Sequence, residues 1–384
     1  MNISDPVQQR GRIRSVDVLR GAIVVLMAID HVRVYSGLPA GGPQPGIFFT
    51  RWITHFCAPG FVFFAGTGAF LYGLKLNNKK ALSGFLFSRG LLLVFLELTL
   101  IRYFWTFNFD YARFTLAGVI WMLGWCMVIM AALVQLKPKT VGIIGIVIIL
   151  IQQVFAKVPL LIPSSFRQQF GWFWEFIYSS GLDGMPGISI LYVIVPWIGV
   201  MAAGYGFGLI LIKEEKIRNK ICWWIGISAI VLFIILGSIL ALRNNNAEMP
   251  FLFRLLNQQK YPPSQLYLLM TLGPLIALIP FAEKAKGWLS NVLSMFGRVP
   301  MFYYLLHIPL IHLLALLVNF IHTGSAHQEF YDTSPYTQMP EDYHWSLGLL
   351  YLIFFIVEVI LFFLCSAYGD YKAKHPEKKW LRYI

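Results

Sequence analysis

Four ionisable residues crowd into one apolar stretch, and their spacing suggests chemistry. Between Arg14 and Tyr35 the chain reads RSVDVLRGAIVVLMAIDHVRVY, with Asp17 and Arg20 toward one end and Asp30 and His31 toward the other. At 100° per residue, Arg20 and His31 return to within roughly 20° of each other, and Asp17 stands about 60° from Arg20. Their axial separation is about 16 Å, roughly half a bilayer core. A cation and an imidazole thus look into one interior seam from two depths, with Val24 and Met27 between them. Imidazole titrates near neutrality, so His31 suits proton transfer, with Asp30 or Asp17 to orient or charge-stabilise it. The plainer account has Arg20 snorkelling to headgroups while Asp30 and His31 sit in the opposite interface. Four such residues in one helix, in a chain sparing with charge, favour function, because charge inside a membrane is costly.

Two further segments carry polar groups within apolar sequence. The first, TRWITHFCAPGFVFFAGTGAFLYG from Thr50 to Gly73, places His55 before Pro59 and thins the helix at Gly60, Gly66 and Gly68. Tight helix packing explains the glycines as well as a ligand does. The second, GRVPMFYYLLHIPLIHLL from Gly297 to Leu314, has Pro300 suited to a first helical turn and Arg298 just ahead of it. His307 then falls about 10 Å into the span, too deep for an interfacial residue, with Pro309 and His312 beyond. Asp17, His55 and His307 are the candidates for substrate-binding or accessory roles.

The elements that hold these residues follow from composition. The 384 residues are 58% hydrophobic and 13% charged, with a mean hydropathy of +0.65, which excludes a soluble globule and indicates an all-α polytopic membrane protein. Ten spans are expected, near 16–35, 56–74, 84–104, 116–136, 141–161, 188–212, 221–242, 266–281, 301–320 and 345–368. The fifth holds Gln152 and Gln153, and the eighth is short and interrupted by Gly273 and Pro274. With both termini cytoplasmic, the inner segments collect Arg10, Arg12 and Arg14, then Lys75, Lys79, Lys80, Lys137, Lys139, Lys213 and Lys216. The outer loop from His322 to His344 has neither Lys nor Arg. The whole chain reads as one transmembrane domain, with 1–14 a cytoplasmic lead and 369–384 a basic cytoplasmic tail, in the cytoplasmic (inner) membrane of the cell.

The net charge of +13 does not signal nucleic acid, because the basic residues lie in short loops rather than on a soluble basic face. The four cysteines form no zinc-type spacing, and no metal is expected. The aromatic run SSFRQQFGWFWEFIYSSGLDGMPG suits either an interfacial helix or a platform for sugar rings.

Four stretches carry a resemblance to a known family: RSVDVLRGAIVVLMAIDH, HFCAPGFVFFAGTGAFLYG, FLFSRGLLLV and GRVPMFYYLLHIPLIH. Together they resemble bacterial membrane proteins related to the heparan-α-glucosaminide N-acetyltransferase catalytic domain. The opening is also similar to the wider acyltransferase-3 group, in which Arg, ten residues and His recur on the first helix; Arg20 and His31 match. The resemblance implies transfer of an acetyl or other acyl group from cytosolic acyl-CoA to a sugar or glycan hydroxyl or amine at the membrane or its far side. His31 with Asp30 would then be catalytic, by base catalysis or by passing through an acylated imidazole. Arg20, Arg89 and Arg298 would hold the CoA phosphates, near Lys75, Lys79 and Lys80. The animal enzyme carries its catalytic histidine in the loop after the first span, where PAGGPQPGIFFTRWI has none, so His31 or His55 would take that role. Membrane lipids and a sugar acceptor are the expected partners, and the sequence is compatible with a homo-oligomer. A proton-coupled transporter or flippase using the same seam is the rival reading.

Overall fold

The structure is a computed structural model and describes residues 13–179, 187–243 and 249–383. Arg10, Arg12 and nearly all of the expected cytoplasmic lead lie outside the described residues.

The first charged stretch forms one helix, α1 (Arg14–Tyr35). Its many β-branched residues disfavour helix in water, but an apolar surround forces backbone groups to bond within the segment. The helix ends at Ser36, whose hydroxyl donates to the carbonyl of Arg33 at 2.7 Å. Then come α2 (Pro45–Leu76) and α3 (Lys79–Thr106). A short strand β1 (Thr115–Ala117) leads into α4 (Val119–Leu133), followed by α5 (Pro138–Leu161) and α6 (Ser164–Ile177). Strand β2 (Ile188–Ile190) precedes α7 (Val195–Leu211), α8 (Glu215–Arg243) and the short α9 (Phe251–Leu256). The chain closes with α10 (Gln265–Lys284), α11 (Trp288–Arg298), α12 (Pro300–Thr323) and α13 (Leu347–Lys374).

Among the described residues, seven helices are long and apolar enough to cross a membrane: α2, α3, α5, α8, α10, α12 and α13. Helix α1 has the length but carries the charges, and α4 and α7 are apolar but shorter. Two expected spans began too early. Leu116 and Ile188 belong to β1 and β2, which pair in parallel with Thr115 opposite Ile188 and Ala117 opposite Ile190. Here β-branched residues sit beside Gly118 and Gly187, which break helix and favour the extended ribbon. The interrupted eighth segment instead continues through Pro274 and Pro280 as α10, and Gly273 packs against Gly226 and Ala229 of α8. The fifth ends in tighter turns from Gln152 to Leu161, where Gln153 and Gln265 bond side chain to side chain at 2.7 Å.

Most of α1 is buried, and it touches α2, α10, α11, α12 and α13. Its closest approach is to α11. A Cβ on Gly21 would meet the Leu293 carbonyl at 1.8 Å, and one on Gly297 would meet that of Asp17 at 1.8 Å. Bare glycine on both partners lets the two backbones touch. At the Arg14 end, the guanidinium reaches Ser290 and Asn291, and Glu283 accepts from the Ser15 N–H at 3.1 Å.

The Tyr35 end is closed by the acidic loop between α12 and α13. Asp332 pairs with Arg113 at 3.3 Å and accepts from Asn108, and the Trp345 N–H donates to Ser36 at 3.0 Å. Lys79 begins α3 and these contacts lie just past its end, so Lys79 and Asp332 are on opposite faces, about 40 Å apart for a helix of this length.

Candidate active site

His31 and His307 come together, although 276 residues separate them. His31 Nδ1 lies 2.6 Å from His307 Nε2, the rings stack at 4.8 Å, and Trp105 packs edge-on against His31 at 4.8 Å. The proton positions follow from the partners. His307 Nδ1 sits 2.6 Å from the Tyr304 carbonyl and 3.2 Å from that of Tyr303, and carbonyls only accept. Nδ1 of His307 therefore carries the proton and Nε2 offers its lone pair. His31 donates from Nδ1 into that lone pair, which leaves its own Nε2 as the basic nitrogen. His307 is fully buried, whereas His31 borders open space.

That space is a cavity of about 460 Å³ at the Tyr35 end of α1. Asp30, His31, Glu97, Trp105, Tyr192 and Lys260 are among its lining residues. A second cavity, of about 280 Å³, lies toward the other end and is lined by Arg20, Arg89 and Arg382 set in apolar walls. The cavities are neighbours, with Tyr304 and Val119 lining both. Arg20 lies across Gly68, where a Cβ would meet its Nη2 at 2.4 Å, and donates to the Phe64 carbonyl. Arg89 donates to the Arg382 carbonyl at 3.3 Å, which ties α3 to the C-terminal tail.

The structure sets several of the expected residues apart from the His31–His307 pair. Asp30 makes no hydrogen bond to His31. Its carboxylate pairs with Arg33 at 3.1 Å and Lys260 at 3.8 Å, because neighbours in a helix point about 100° apart. Asp17 cannot reach His31 either: fourteen residues of helix put it about 21 Å away, against Gly297. Arg298 is exposed at the end of α11 and lines neither cavity, because Gly297 turns its close-packing face to α1. Arg382 stands in its place. His55 is buried beside Tyr267, whose hydroxyl donates to the His55 carbonyl at 2.7 Å, and it too lies outside both cavities.

Lys260, outside the long apolar helices, is buried against Asp30 and Tyr261. Burial opposes its charge, but Tyr261 and Asp30 outweigh that and hold the ammonium above its ordinary range. It stays protonated across neutral pH and keeps Asp30 engaged.

Sequence reading missed Glu97 and Arg382. Glu97 sits in an aliphatic run and shows itself only as a charge within a span, which is a usable signal. Arg382 is one basic residue in a basic tail and gives no such signal.

The family model described as heparan-alpha-glucosaminide N-acetyltransferase, catalytic, matches residues 12–259, more than half of the chain. The match takes in Arg20, His31, His55, Arg89 and Glu97, while His307 and Arg382 lie beyond it. No curated protein matches. A multi-pass membrane protein with these helices and this match belongs to the heparan-alpha-glucosaminide N-acetyltransferase catalytic family, and is of transmembrane acetyltransferase type.

Proposed function

We propose that the protein moves an acyl group from acyl-CoA, bound at the Arg20 cavity, to a hydroxyl or amine of a sugar held in the His31 cavity. The observation that carries this reading is the adjacency of the two cavities, which share Tyr304 and Val119 as lining, with clustered cations on one side and an imidazole base on the other. Arg20, Arg89 and Arg382 suit the CoA phosphates, since guanidinium forks pair with phosphate oxygens. The pantetheine arm then lies along the apolar wall and brings the thioester to the junction.

The acceptor X–H gives its proton to His31 Nε2 as X attacks the thioester carbonyl. The C–S bond breaks, and the imidazolium returns the proton to the CoA thiolate. Product and free CoA form with no net proton change. His307 keeps its proton throughout and holds the His31 tautomer, as a carboxylate does in a hydrolase triad. Being neutral, it stabilises the imidazolium less than a carboxylate.

In this reading the Arg20 end is cytoplasmic, the protein sits in the cytoplasmic membrane with both termini inside and about ten crossings, and the sugar is met from the other side. Incubation with labelled acetyl-CoA and amino-sugar or sugar acceptors tests the reaction. Acceptor-dependent label transfer is expected, and a folded protein that neither binds acetyl-CoA nor cleaves its thioester refutes it. Cysteines placed near Lys79 and near Asp332 test the orientation: the first should be labelled only from inside, the second only from outside.

A further inference from the structure

Glu97 takes no part in the steps above, yet it is among the least exposed charged residues of the protein, at 2%. It lines the His31 cavity. Helix α3 widens into a π turn over Glu97–Ile101, a local irregularity that recurs at functional sites. The Gly118 N–H, at the start of α4, bonds the carboxyl, and a Cβ on Gly118 would meet Oε1 at 2.1 Å. Oε2 is buried without a partner. Among the described residues no cation pairs with Glu97, whereas Asp30 in the same cavity has Arg33 and Lys260. A structural tie to Gly118 needs one acceptor atom, which an amide would supply. A second carboxyl oxygen without a partner is a cost that packing does not explain.

We propose that Glu97 binds the acceptor: its carboxyl accepts a hydrogen bond from a hydroxyl or amino group of the sugar and so selects which acceptor group faces His31. This rests on the acyl-transfer reading above. A carboxyl group anchored at one oxygen and unpartnered at the other is a fixed acceptor on the cavity wall, and a substrate O–H or N–H that reaches it completes the pairing that the protein leaves unmade.

Two substitutions test it in the full-length protein, with acetyl-CoA as donor and glucosamine or glucose as acceptor. Glu97→Gln keeps a carbonyl for Gly118 and replaces the other oxygen with a donor. Gly118→Ala leaves the carboxyl intact but pushes its end aside, at a backbone geometry (φ −92°, ψ −158°) open to alanine. Both should raise the acceptor KM by about tenfold, the scale of losing a hydrogen bond and leaving its partner unsatisfied. KM for acetyl-CoA and the thermal midpoint should hold. Wild-type turnover with an unchanged acceptor KM in both variants overturns the assignment and leaves the acyl-transfer reading standing. A fall in thermal midpoint with both KM values shifted alike makes Glu97 a structural tie, which also overturns it. A wild-type protein that binds acetyl-CoA but acetylates neither probe overturns the sugar reading of the cavity and the assignment with it, while failure to bind acetyl-CoA overturns the proposed function itself.

Discussion

The two cavities that share Tyr304 differ in their charge: one carries a single sign, the other both. The Arg20 cavity has three guanidinium groups and no carboxylate among its lining residues, in walls of Phe, Leu and Met. The His31 cavity mixes Arg33, Arg51 and Lys260 with Asp30 and Glu97, and adds tyrosines and Trp105. A single sign in an apolar setting suits a strongly anionic ligand with a long uncharged arm. Mixed signs beside aromatic rings suit a neutral or weakly charged polar ligand that is read by hydrogen bonds and ring contact. One helix serves both, because α1 carries Arg20 and His31 on nearly the same face about 16 Å apart. Depth along one helix can thus keep two chemically different cavities apart without a second domain.

The sharpest way to break this comparison is to remove the base. His31→Ala should lower kcat by about 10² to 10⁴, the usual share of a general base, with acyl-CoA affinity intact. Single-turnover transfer and acyl-CoA binding measured on the same preparation check it, and near-full turnover would remove the chemistry from this cavity. Removing the cation at the other depth of α1 should act only on the other side. Arg20→Ala is expected to weaken acyl-CoA binding by about 1.5 to 3 kcal/mol, as for a lost charge-assisted contact, with acceptor KM unchanged. Equal losses toward both substrates would mean that the cavities are not separate sites.

His307 sharpens the comparison from within. It touches neither cavity and acts by fixing the His31 tautomer. His307→Ala should therefore cost about 10- to 100-fold in kcat, by analogy with the loss of a partner that orients a metal-bound imidazole, and leave both KM values near their starting points. A loss as large as that of His31→Ala would give His307 a direct part in proton transfer.

How much of this was legible follows from what each residue needs. Arg20 and His31 could be paired from helical periodicity alone, and each does border a cavity. The apolar runs could be counted, though β1 and β2 took the starts of two because a three-residue ribbon depends on a partner strand far along the chain. For His31 the sequence offers the carboxylates of Asp30 and Asp17. Its partner is His307, and nothing local announces a contact across 276 residues. The same limit applies to Arg382, brought to Arg89 by the folding back of the tail. Glu97 was visible as a charge in a span, but its relation to Gly118 and the His31 cavity exists only after α3 and α4 pack.

The smallest expected effects separate Arg298 from Arg382, and with them the sequence-based picture of the phosphate site from the structural one. Arg298 sits just ahead of the Pro300 turn, in a stretch whose spacing draws notice in the sequence although it lies beyond the family match, whereas Arg382 sits in a tail with no motif. Geometry reverses their importance, since Arg382 lines the Arg20 cavity and Arg298 does not. Arg382 is exposed, so its attraction to a phosphate is screened, and Arg382→Ala should weaken acyl-CoA binding by only about 0.2 to 1 kcal/mol, less at high salt. Arg298→Ala should leave acyl-CoA affinity unchanged at any salt concentration. Titration of both variants with acetyl-CoA at low and high ionic strength reads the contrast directly. A salt-dependent loss in Arg298→Ala, with none in Arg382→Ala, would move the phosphates out of the Arg89 side of the cavity and toward the α11 end.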